Sequence, residues 1–206
     1  MAERPTSRLR NLLKGPDLIS APGVADALNA RLVAQAGFKA IYMTGAGTSA
    51  VRLGVPDIGL LTMHEMVDNA GRIAEASGLP LIADADTGYG GPINVRRTIQ
   101  AYERAGVAGV HIEDQQWPKR CGHLAGKTLI PTEEMSAKIK AAVDARMDDD
   151  FVVIARSDAL AVEGFDAVMA RGKAYEEAGA DIIFIEAPRD MDQLRQIPEA
   201  FDVPTL

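Results

Sequence analysis

Residues 117–123 carry the side chains in this sequence that are best suited to move a proton. The segment holds the only cysteine and the only tryptophan of the 206-residue chain. Lys119 and Arg120 precede the thiol of Cys121 and His123 follows it, and such an electropositive setting activates a cysteine as a nucleophile or proton carrier. A lone cysteine is often only a small buried hydrophobic residue, but the glycines at 122 and 126 are typical of a loop. We therefore predict that Cys121 is catalytic and that Lys119, Arg120 and His123 tune it.

A second set of candidate residues consists of carboxylates that follow apolar runs. Asp84 and Asp86 stand at i and i+2 after one such run, and Glu113 follows another. Anions packed together repel one another unless a cation neutralises them, and all-oxygen ligation suits Mg²⁺ or Mn²⁺. We predict a metal site formed by Asp84, Asp86 and Glu113, which Asp57 joins through water. The alternative is that these aspartates cap turns or helices.

Two further charged residues end predicted strands. Arg156 is either a bidentate clamp for a substrate carboxylate or the partner of Asp158 or Glu186. Glu186 is either a general base or the partner of Arg156. His111, on a predicted strand, is either a core residue or part of a pocket wall.

The elements that position these residues repeat one pattern, in which a helix ends at glycine and an apolar strand follows at once. Strands are predicted at residues 18–21, 40–43, 78–83, 106–112, 151–155 and 179–185, and residues 201–206 resemble the start of a seventh. Near-continuous apolar strands alternating with helices predict a parallel α/β sheet. Helices are predicted at residues 7–13 and 25–36, the second with Leu28, Leu32 and Val33 on one face, and from a capping box at Thr62 to residue 76.

The fold class that this pattern favours is a TIM barrel, a (β/α)8 fold. A barrel of eight units needs about 250 residues, so we expect residues 1–206 to form a single incomplete barrel domain that stops after about six βα units and strand 7. An open sheet is the alternative. The longest connections, residues 45–61 and 114–131, lie at the strand ends where barrels carry their chemistry.

Composition excludes several classes of function. The net charge of −7 argues against binding to nucleic acid or to an anionic membrane surface. One cysteine excludes an internal disulfide, which fits a reducing cytoplasm. The basic N-terminal residues precede no apolar segment, so a secretory signal is not expected.

The motifs together resemble the isocitrate lyase and phosphoenolpyruvate mutase superfamily. The resemblance runs from about Leu9 to Leu206 and is carried by the segments 53–57, 84–90, 112–115, 119–123, 155–159 and 185–187. Within the superfamily the sequence is most similar to 2-methylisocitrate lyases and to the related 2,3-dimethylmalate lyases, carboxyphosphonoenolpyruvate mutases and oxaloacetate decarboxylases. Thr44-Gly45-Ala46 replaces the Ser-Gly-Gly typical of methylisocitrate lyases, which disfavours methylisocitrate itself as the substrate.

The resemblance implies a role for each motif. It implies a (β/α)8 barrel in which Asp84 and Asp86 serve a bound Mg²⁺, with Asp57 and Glu113 holding its waters. It implies that residues 114–131 form a mobile active-site loop carrying Cys121. It also implies a set of substrate-facing residues, namely Thr44, Gly45, Ala46, Cys121, Gly122, Arg156 and Glu186. Full-length members usually form homotetramers.

The expected activity is Mg²⁺-dependent cleavage of a carbon–carbon bond. The substrate would be a small branched 2-hydroxy di- or tricarboxylate that breaks in the retro-aldol sense, with Cys121 protonating the resulting carbanion. Two alternatives stay open. One is decarboxylation of oxaloacetate or carboxyphosphonoenolpyruvate mutase chemistry at the same site, and the other is a barrel fragment without catalytic activity.

Overall fold

A computed structural model of the protein describes residues 3–206, and its centre is one parallel sheet. The strands are β1 (Gly23–Val24), β2 (Ile41–Met43), β3 (Leu81–Asp84), β4 (Gly109–Glu113), β5 (Val152–Ser157) and β6 (Ile182–Ile185). They follow one another in the sheet in the order β1-β2-β3-β4-β5-β6, and every neighbouring pair is parallel. Sequential order with parallel pairing is the arrangement of a (β/α) barrel wall. The prediction of a parallel α/β sheet built from βα units is therefore confirmed.

Helices connect the strands, and most of them cover the outer face of the sheet. They are α1 (Pro5–Leu13), α2 (Ala27–Gln35), α3 (Gly45–Leu53), α4 (Met63–Ser77), α5 (Pro92–Arg104), α6 (Thr132–Ala145), α7 (Ala159–Val162), α8 (Phe165–Glu177) and α9 (Met191–Ala200). The predicted capping box is present, since Thr62 and Glu65 satisfy each other's backbone N–H groups. Gly78 ends the same helix in the left-handed conformation.

Three sequence-based expectations about elements need correction. The first strand is not residues 18–21, because Leu18 is 95% exposed and the pairing with β2 is made by Gly23 and Val24. A four-residue apolar run does not distinguish a strand from an irregular extended segment. The connection 45–61 contains helix α3, which Thr44 caps by accepting a hydrogen bond from the backbone N–H of Gly47.

The apolar face of α2 is the third correction. Leu28 and Leu32 are 67% and 55% exposed, whereas Ala30 is buried and Val33 packs against the core. Helical periodicity identifies an apolar stripe but does not say which part of it the sheet covers.

The predicted seventh strand begins where it was expected. Thr205 forms a parallel bridge with Ile183 of β6, and the backbone N–H of Leu206 donates to the Ile183 carbonyl at 3.0 Å. The chain thus starts to add a seventh parallel strand beyond β6.

Two cores lie on opposite faces of the sheet. The larger one is formed between the strands and helices α2, α4, α5, α6 and α8. The smaller one lies on the inner face, where Leu9 of α1 packs into a cluster completed by Ile82, Ala108, Val152, Ile154 and Ile182. Leu9 is fully buried there, so α1 covers the inner face at the amino ends of the strands.

The helices described between residues 3 and 206 include none that is both long and apolar enough to cross a membrane.

Candidate active site

A cavity of about 350 Å³ opens at the carboxyl ends of the strands. Residues from β2, β3, β5 and β6 and from the 114–131 loop line it, together with the segment that precedes β1. Most of the predicted site residues are in this lining: Thr44, Ala46, Asp57, Asp84, Cys121, Gly122, His123, Arg156 and Glu186. The tertiary structure thus brings into one cavity side chains that the sequence places at separate strand ends.

Asp84 is fixed at the floor of this region by backbone donors. Its Oδ2 accepts a hydrogen bond from the N–H of Gly45 at 3.1 Å, and its Oδ1 accepts one from the N–H of Asp86 at 2.9 Å. A Cβ at position 45 would collide with the Asp84 carboxylate, so only glycine permits this approach. Asp86 itself has a φ of 47°, a left-handed conformation that is uncommon for a residue with a side chain and that often marks functional sites.

Lys119 lies among the carboxylates. Its Nζ is 2.6 Å from Asp57 Oδ1 and 2.6 Å from Asp86 Oδ1, and its side chain is only 2% exposed. Burial acts against its positive charge, but the surrounding carboxylates, with Asp84 and Asp86 foremost, raise the pKa of Lys119 above its usual value. The sequence suggested that Lys119 tunes the thiol; in the structure its ammonium group is engaged by Asp57 and Asp86.

Lys119 nevertheless does not fully compensate the negative charge of Asp86 and Glu113. Burial, followed by the charge of Asp84, raises the pKa of Asp86 to about 6. Burial also raises the pKa of Glu113 well above its usual value, against the attraction of Arg156. Glu113 Oε1 is buried and has no hydrogen-bond partner among the residues described. A buried anion without full compensation favours an additional cation.

The chemistry of these oxygen donors fits a hard divalent cation. Their present positions, however, are suited to contacts with the Lys119 ammonium group. The predicted set of Asp57, Asp84, Asp86 and Glu113 offers only oxygen atoms, as Mg²⁺ prefers. As the side chains stand, residues 3–206 contain no group of three or more His, Cys, Asp or Glu donors arranged around a metal position. The Lys119 ammonium lies between two of the predicted ligands, which accounts for their separation. The metal site therefore stays a prediction, supported by the unpartnered oxygen of Glu113.

Arg156 lines the cavity and also forms ion pairs with Asp158 and Glu186. Its two predicted roles, carboxylate clamp and ion-pair partner, therefore do not exclude each other. Its Nε and Nη2 donate to the two carboxylate oxygens of Asp158 at 3.1 and 3.2 Å. Its Nη2 also lies 3.3 Å from Glu186 Oε2, and its guanidinium stands 5.2 Å from the centre of the Phe184 ring. These contacts hold the guanidinium in a single orientation at the cavity wall.

The 114–131 loop is folded over the cavity. Its ends are joined by a hydrogen bond from the N–H of Ile130 to the carbonyl of Asp114 at 3.0 Å, and the N–H of Cys121 donates to the Asp57 carbonyl at 3.0 Å. Gly122 rests on Arg156 and Glu186 so closely that a Cβ would collide with both. The half-buried Cys121 thus lies within the cavity wall beside the charged pair.

The remaining two residues predicted to tune the thiol differ in their surroundings. Arg120 is exposed, and its backbone is held by Gln115, whose side chain both accepts from the Arg120 N–H and donates to its carbonyl. The side chain of His123 is 80% exposed, and its Nε2 lies 3.8 Å from Glu186 Oε1. His123 therefore faces the cavity entrance rather than its floor.

His111, which the sequence left as either a core residue or part of a pocket wall, is fully buried and pairs with Tyr42, a cavity residue that the sequence did not single out. The Tyr42 hydroxyl lies 2.5 Å from His111 Nε2, and the two rings stack with centroids 5.5 Å apart. Burial lowers the pKa of His111 to about 4, so the imidazole is neutral at pH 7. The strand period places His111 on the same face of β4 as Glu113, two residues later, but gives no signal for its contact with Tyr42 on β2.

Comparison with known proteins identifies the family. The family model described as phosphoenolpyruvate phosphomutase matches residues 9–206. The chain is 51% identical over 200 residues to the 2,3-dimethylmalate lyase of Eubacterium barkeri, an alignment that covers 97% of this chain and 69% of that protein. It is 47% identical over 199 residues to the 2-methylisocitrate lyase of Shewanella oneidensis, covering 97% of this chain and 68% of the relative.

Solved structures agree with this assignment. Oxaloacetate acetylhydrolase in complex with 3,3-difluorooxalacetate superimposes with a TM-score of 0.95 at 47% identity, covering 98% of this chain and 70% of that one. Phosphonopyruvate hydrolase in complex with oxalate and Mg²⁺ superimposes with a TM-score of 0.89 at 37% identity, covering 98% and 71%. From the matched family model, the two lyases and these folds, it follows that the chain belongs to the phosphoenolpyruvate mutase/isocitrate lyase superfamily.

Proposed function

We propose that this protein is a carbon–carbon lyase that cleaves a small branched 2-hydroxy dicarboxylate of the 2,3-dimethylmalate type into pyruvate and a second carboxylate. The observation that carries the proposal is the joint presence of Cys121, Arg156 and Glu186 in one cavity next to the buried carboxylates. A proton donor, a carboxylate clamp and a proton acceptor are the groups that retro-aldol cleavage requires.

Each of these side chains has a defined task in the proposed reaction. Glu186 accepts the proton of the substrate hydroxyl as the bond between C2 and C3 breaks and the electron pair passes to C3. Arg156 binds the carboxylate next to that carbon, where negative charge develops. The Cys121 thiol then donates its proton to C3, and once the products leave, Glu186 releases the proton that it accepted to solvent and the thiolate recovers one from solvent. The closed loop keeps water from the carbanion in the meantime.

A divalent cation would complete the site. Asp84 and Asp86 would hold it directly, with Asp57 and Glu113 contributing through water, and such an ion supplies Lewis-acid polarisation of a 2-hydroxy or 2-oxo carboxylate. The support is the all-oxygen donor set and the unpartnered Glu113 Oε1. Phosphonopyruvate hydrolase, 37% identical to this chain, was solved with oxalate and Mg²⁺.

The substrate class rests on the cavity lining and on one relative. Ala21, Ile82 and Phe184 contribute apolar surface to the cavity lining beside the polar strand ends, which suits a substrate with methyl branches. The E. barkeri relative, 51% identical, is a 2,3-dimethylmalate lyase. Both points favour a branched malate over the tricarboxylate 2-methylisocitrate.

Pyruvate release from three acids tests the proposal. The chain is incubated with 2,3-dimethylmalate, 2-methylisocitrate or oxaloacetate, each with Mg²⁺ and with EDTA. We expect Mg²⁺-dependent release that is fastest from 2,3-dimethylmalate. Release from oxaloacetate alone would replace the lyase with a decarboxylase, and absence of release from all three would direct the search to phosphonates or to a barrel without catalytic activity.

A cytoplasmic location and assembly into a homotetramer belong to the same proposal. Both rest on the family resemblance, and the single cysteine fits a reducing compartment. Light scattering on the purified full-length protein would test the tetramer.

A further inference from the structure

Lys127 is a buried cation that the proposed chemistry does not use. It belongs to the loop that carries Cys121, yet its side chain is only 2% exposed. Gly126, with a φ of 81°, turns the chain immediately before it. The turn directs the Lys127 side chain back beneath the loop instead of into solvent, where a lysine ordinarily lies.

The Lys127 ammonium joins two parts of the site. It donates a hydrogen bond to the carbonyl of Gly122, the residue after Cys121. It also lies 3.0 Å from Oδ1 of Asp158, which is fully buried and follows β5. Charge-assisted hydrogen bonds of this kind are stronger than neutral ones, and burial increases the cost of breaking them.

Asp158 is in turn the residue that orients Arg156. Its two oxygens accept from the Nε and Nη2 of Arg156, while its own backbone N–H donates to Asp114 Oδ1 at 2.9 Å. Asp114 is the first residue of the loop. A continuous set of polar contacts therefore runs from the Gly122 carbonyl through Lys127 and Asp158 to the guanidinium at the cavity wall.

The position of Gly122 shows why this link matters. The Cα of Gly122 packs on Arg156 and Glu186 with no room for a Cβ. The carbonyl of Gly122 is held separately, by the hydrogen bond from Lys127. If the Lys127 contact were lost, nothing else in the described structure would tie the Gly122 carbonyl to the sheet. Cys121, one residue before, would then be held to the cavity wall by the hydrogen bond from its own N–H to the Asp57 carbonyl, and it would leave the cavity more often.

We propose that Lys127 is a positioning residue that fastens the Cys121 loop in its closed conformation by bridging the Gly122 carbonyl to the Asp158–Arg156 pair. The bridge couples closure of the loop to the orientation of the guanidinium, so that the thiol and the carboxylate clamp are brought into place together. The catalytic consequence rests on the proposed lyase function, but the closure itself does not.

The test uses the only thiol of the chain as its probe. The rate of alkylation by iodoacetamide, followed by intact mass, reports how often Cys121 leaves its half-buried position. Lys127→Met removes the charge and both contacts, and we expect labelling about tenfold faster than in the unmodified chain, as loss of a charged hydrogen bond implies. Lys140→Met, the same substitution at an exposed lysine of α6, is the matched control and should label at the original rate.

Hydrogen exchange separates loop release from general loss of structure. In Lys127→Met, the amides of residues 119–128 should exchange faster while those of β5 keep their protection. Equal labelling rates for Lys127→Met and Lys140→Met would overturn the proposal. Equal loss of protection in the loop and in β5 would also overturn it, because it would assign Lys127 to overall stability.

A second variant keeps the test decisive if Lys127→Met does not fold. Lys127→Gln retains a donor for the Gly122 carbonyl without the charge, and we expect labelling about threefold faster than in the unmodified chain. An unchanged rate in this variant would also contradict the proposal. Since labelling needs no turnover, a loop that opens as expected in a chain without lyase activity would refute the proposed function and leave this inference standing.

Discussion

The two ends of the sheet are closed in opposite ways. At the amino ends of the strands, helix α1 covers the inner face with the apolar side chain of Leu9. At the carboxyl ends, the 114–131 loop covers it with two buried lysines, Lys119 and Lys127. Leu9 covers the amino ends by apolar packing, which requires no charged partner. The loop covers the carboxyl ends with lysine side chains, each of which requires a carboxylate beside it.

The contrast extends to the ion pairs at each end. Arg10 of α1 lies 2.8 Å from Asp181, and their side chains are 21% and 14% exposed, so water still reaches part of each group. Lys119 and Asp86 are 2% and 4% exposed, so each depends on the other for the solvation that water would have supplied. The contacts at the amino end therefore serve stability. At the carboxyl end, Asp86 and Glu113 are buried without full compensation of their charge, at the place where we propose that a cation and an anionic substrate bind.

The largest expected effect is on catalysis at the carboxyl end. Cys121→Ser should lower kcat for cleavage of 2,3-dimethylmalate by roughly 10²–10⁴-fold, because a hydroxyl is a much poorer proton donor than a thiol at this position. Steady-state pyruvate release measures the loss. Two results together would instead favour a decarboxylase that needs no acid at residue 121. The variant would retain full activity toward oxaloacetate, and the unmodified chain would have no activity toward the branched acid.

The second effect is on stability at the same end. Lys119→Met should lower the free energy of unfolding at pH 7 by about 3–5 kcal/mol, because it leaves the buried Asp86 and the half-buried Asp57 without their cation. Urea denaturation without and with Mg²⁺ measures it, and we expect Mg²⁺ to restore part of the loss if the metal prediction holds. A loss below about 1 kcal/mol would contradict the comparison, because the buried Lys119 pairs would then contribute no more than a partly exposed ion pair.

The third effect is at the amino end and should leave chemistry untouched. Leu9→Ala should lower the free energy of unfolding by roughly 2–5 kcal/mol through the cavity it creates among Ile82, Val152 and Ile154. The kcat of the folded variant should equal that of the unmodified chain. A change in kcat comparable to the change in stability would show that the two ends are not independent.

The smallest effect is on the partly exposed ion pair of Arg10 and Asp181. Arg10→Met should lower the free energy of unfolding by about 1 kcal/mol, and added salt should reduce the difference between the variant and the unmodified chain. The same denaturation series provides the measurement. A loss as large as that of Lys119→Met would remove the distinction between a partly exposed pair and a fully buried one on which the comparison rests.

Relatives place the site in context without deciding its substrate. A lyase acting on 2,3-dimethylmalate, a lyase acting on 2-methylisocitrate and an oxaloacetate acetylhydrolase all resemble this chain at 47–51% identity. Thr44 and Ala46, which differ from the pattern typical of methylisocitrate lyases, both line this cavity.

Local signals in the sequence were sufficient for the fold and for the expectation that several candidate residues would lie in one cavity. Apolar strands that follow a helix-ending glycine predicted the parallel βα units, and the Thr62 capping box predicted the start of α4. Polar residues at strand ends predicted where Asp84, Arg156 and Glu186 would meet, because the carboxyl ends of parallel strands share one edge. These features depend on periods of a few residues, which a sequence displays directly.

The partners of the buried charges were decided only by the tertiary structure. Lys119 was expected beside the thiol and is found between Asp57 and Asp86, and Lys127 pairs with Asp158, 31 residues away. Leu18 reads as part of a strand and is exposed, because register depends on which backbone groups pair across the sheet. A sequence shows which residues are apolar or charged, but which charge each lysine neutralises is set by distances across the sheet, and those exist only once the strands are assembled.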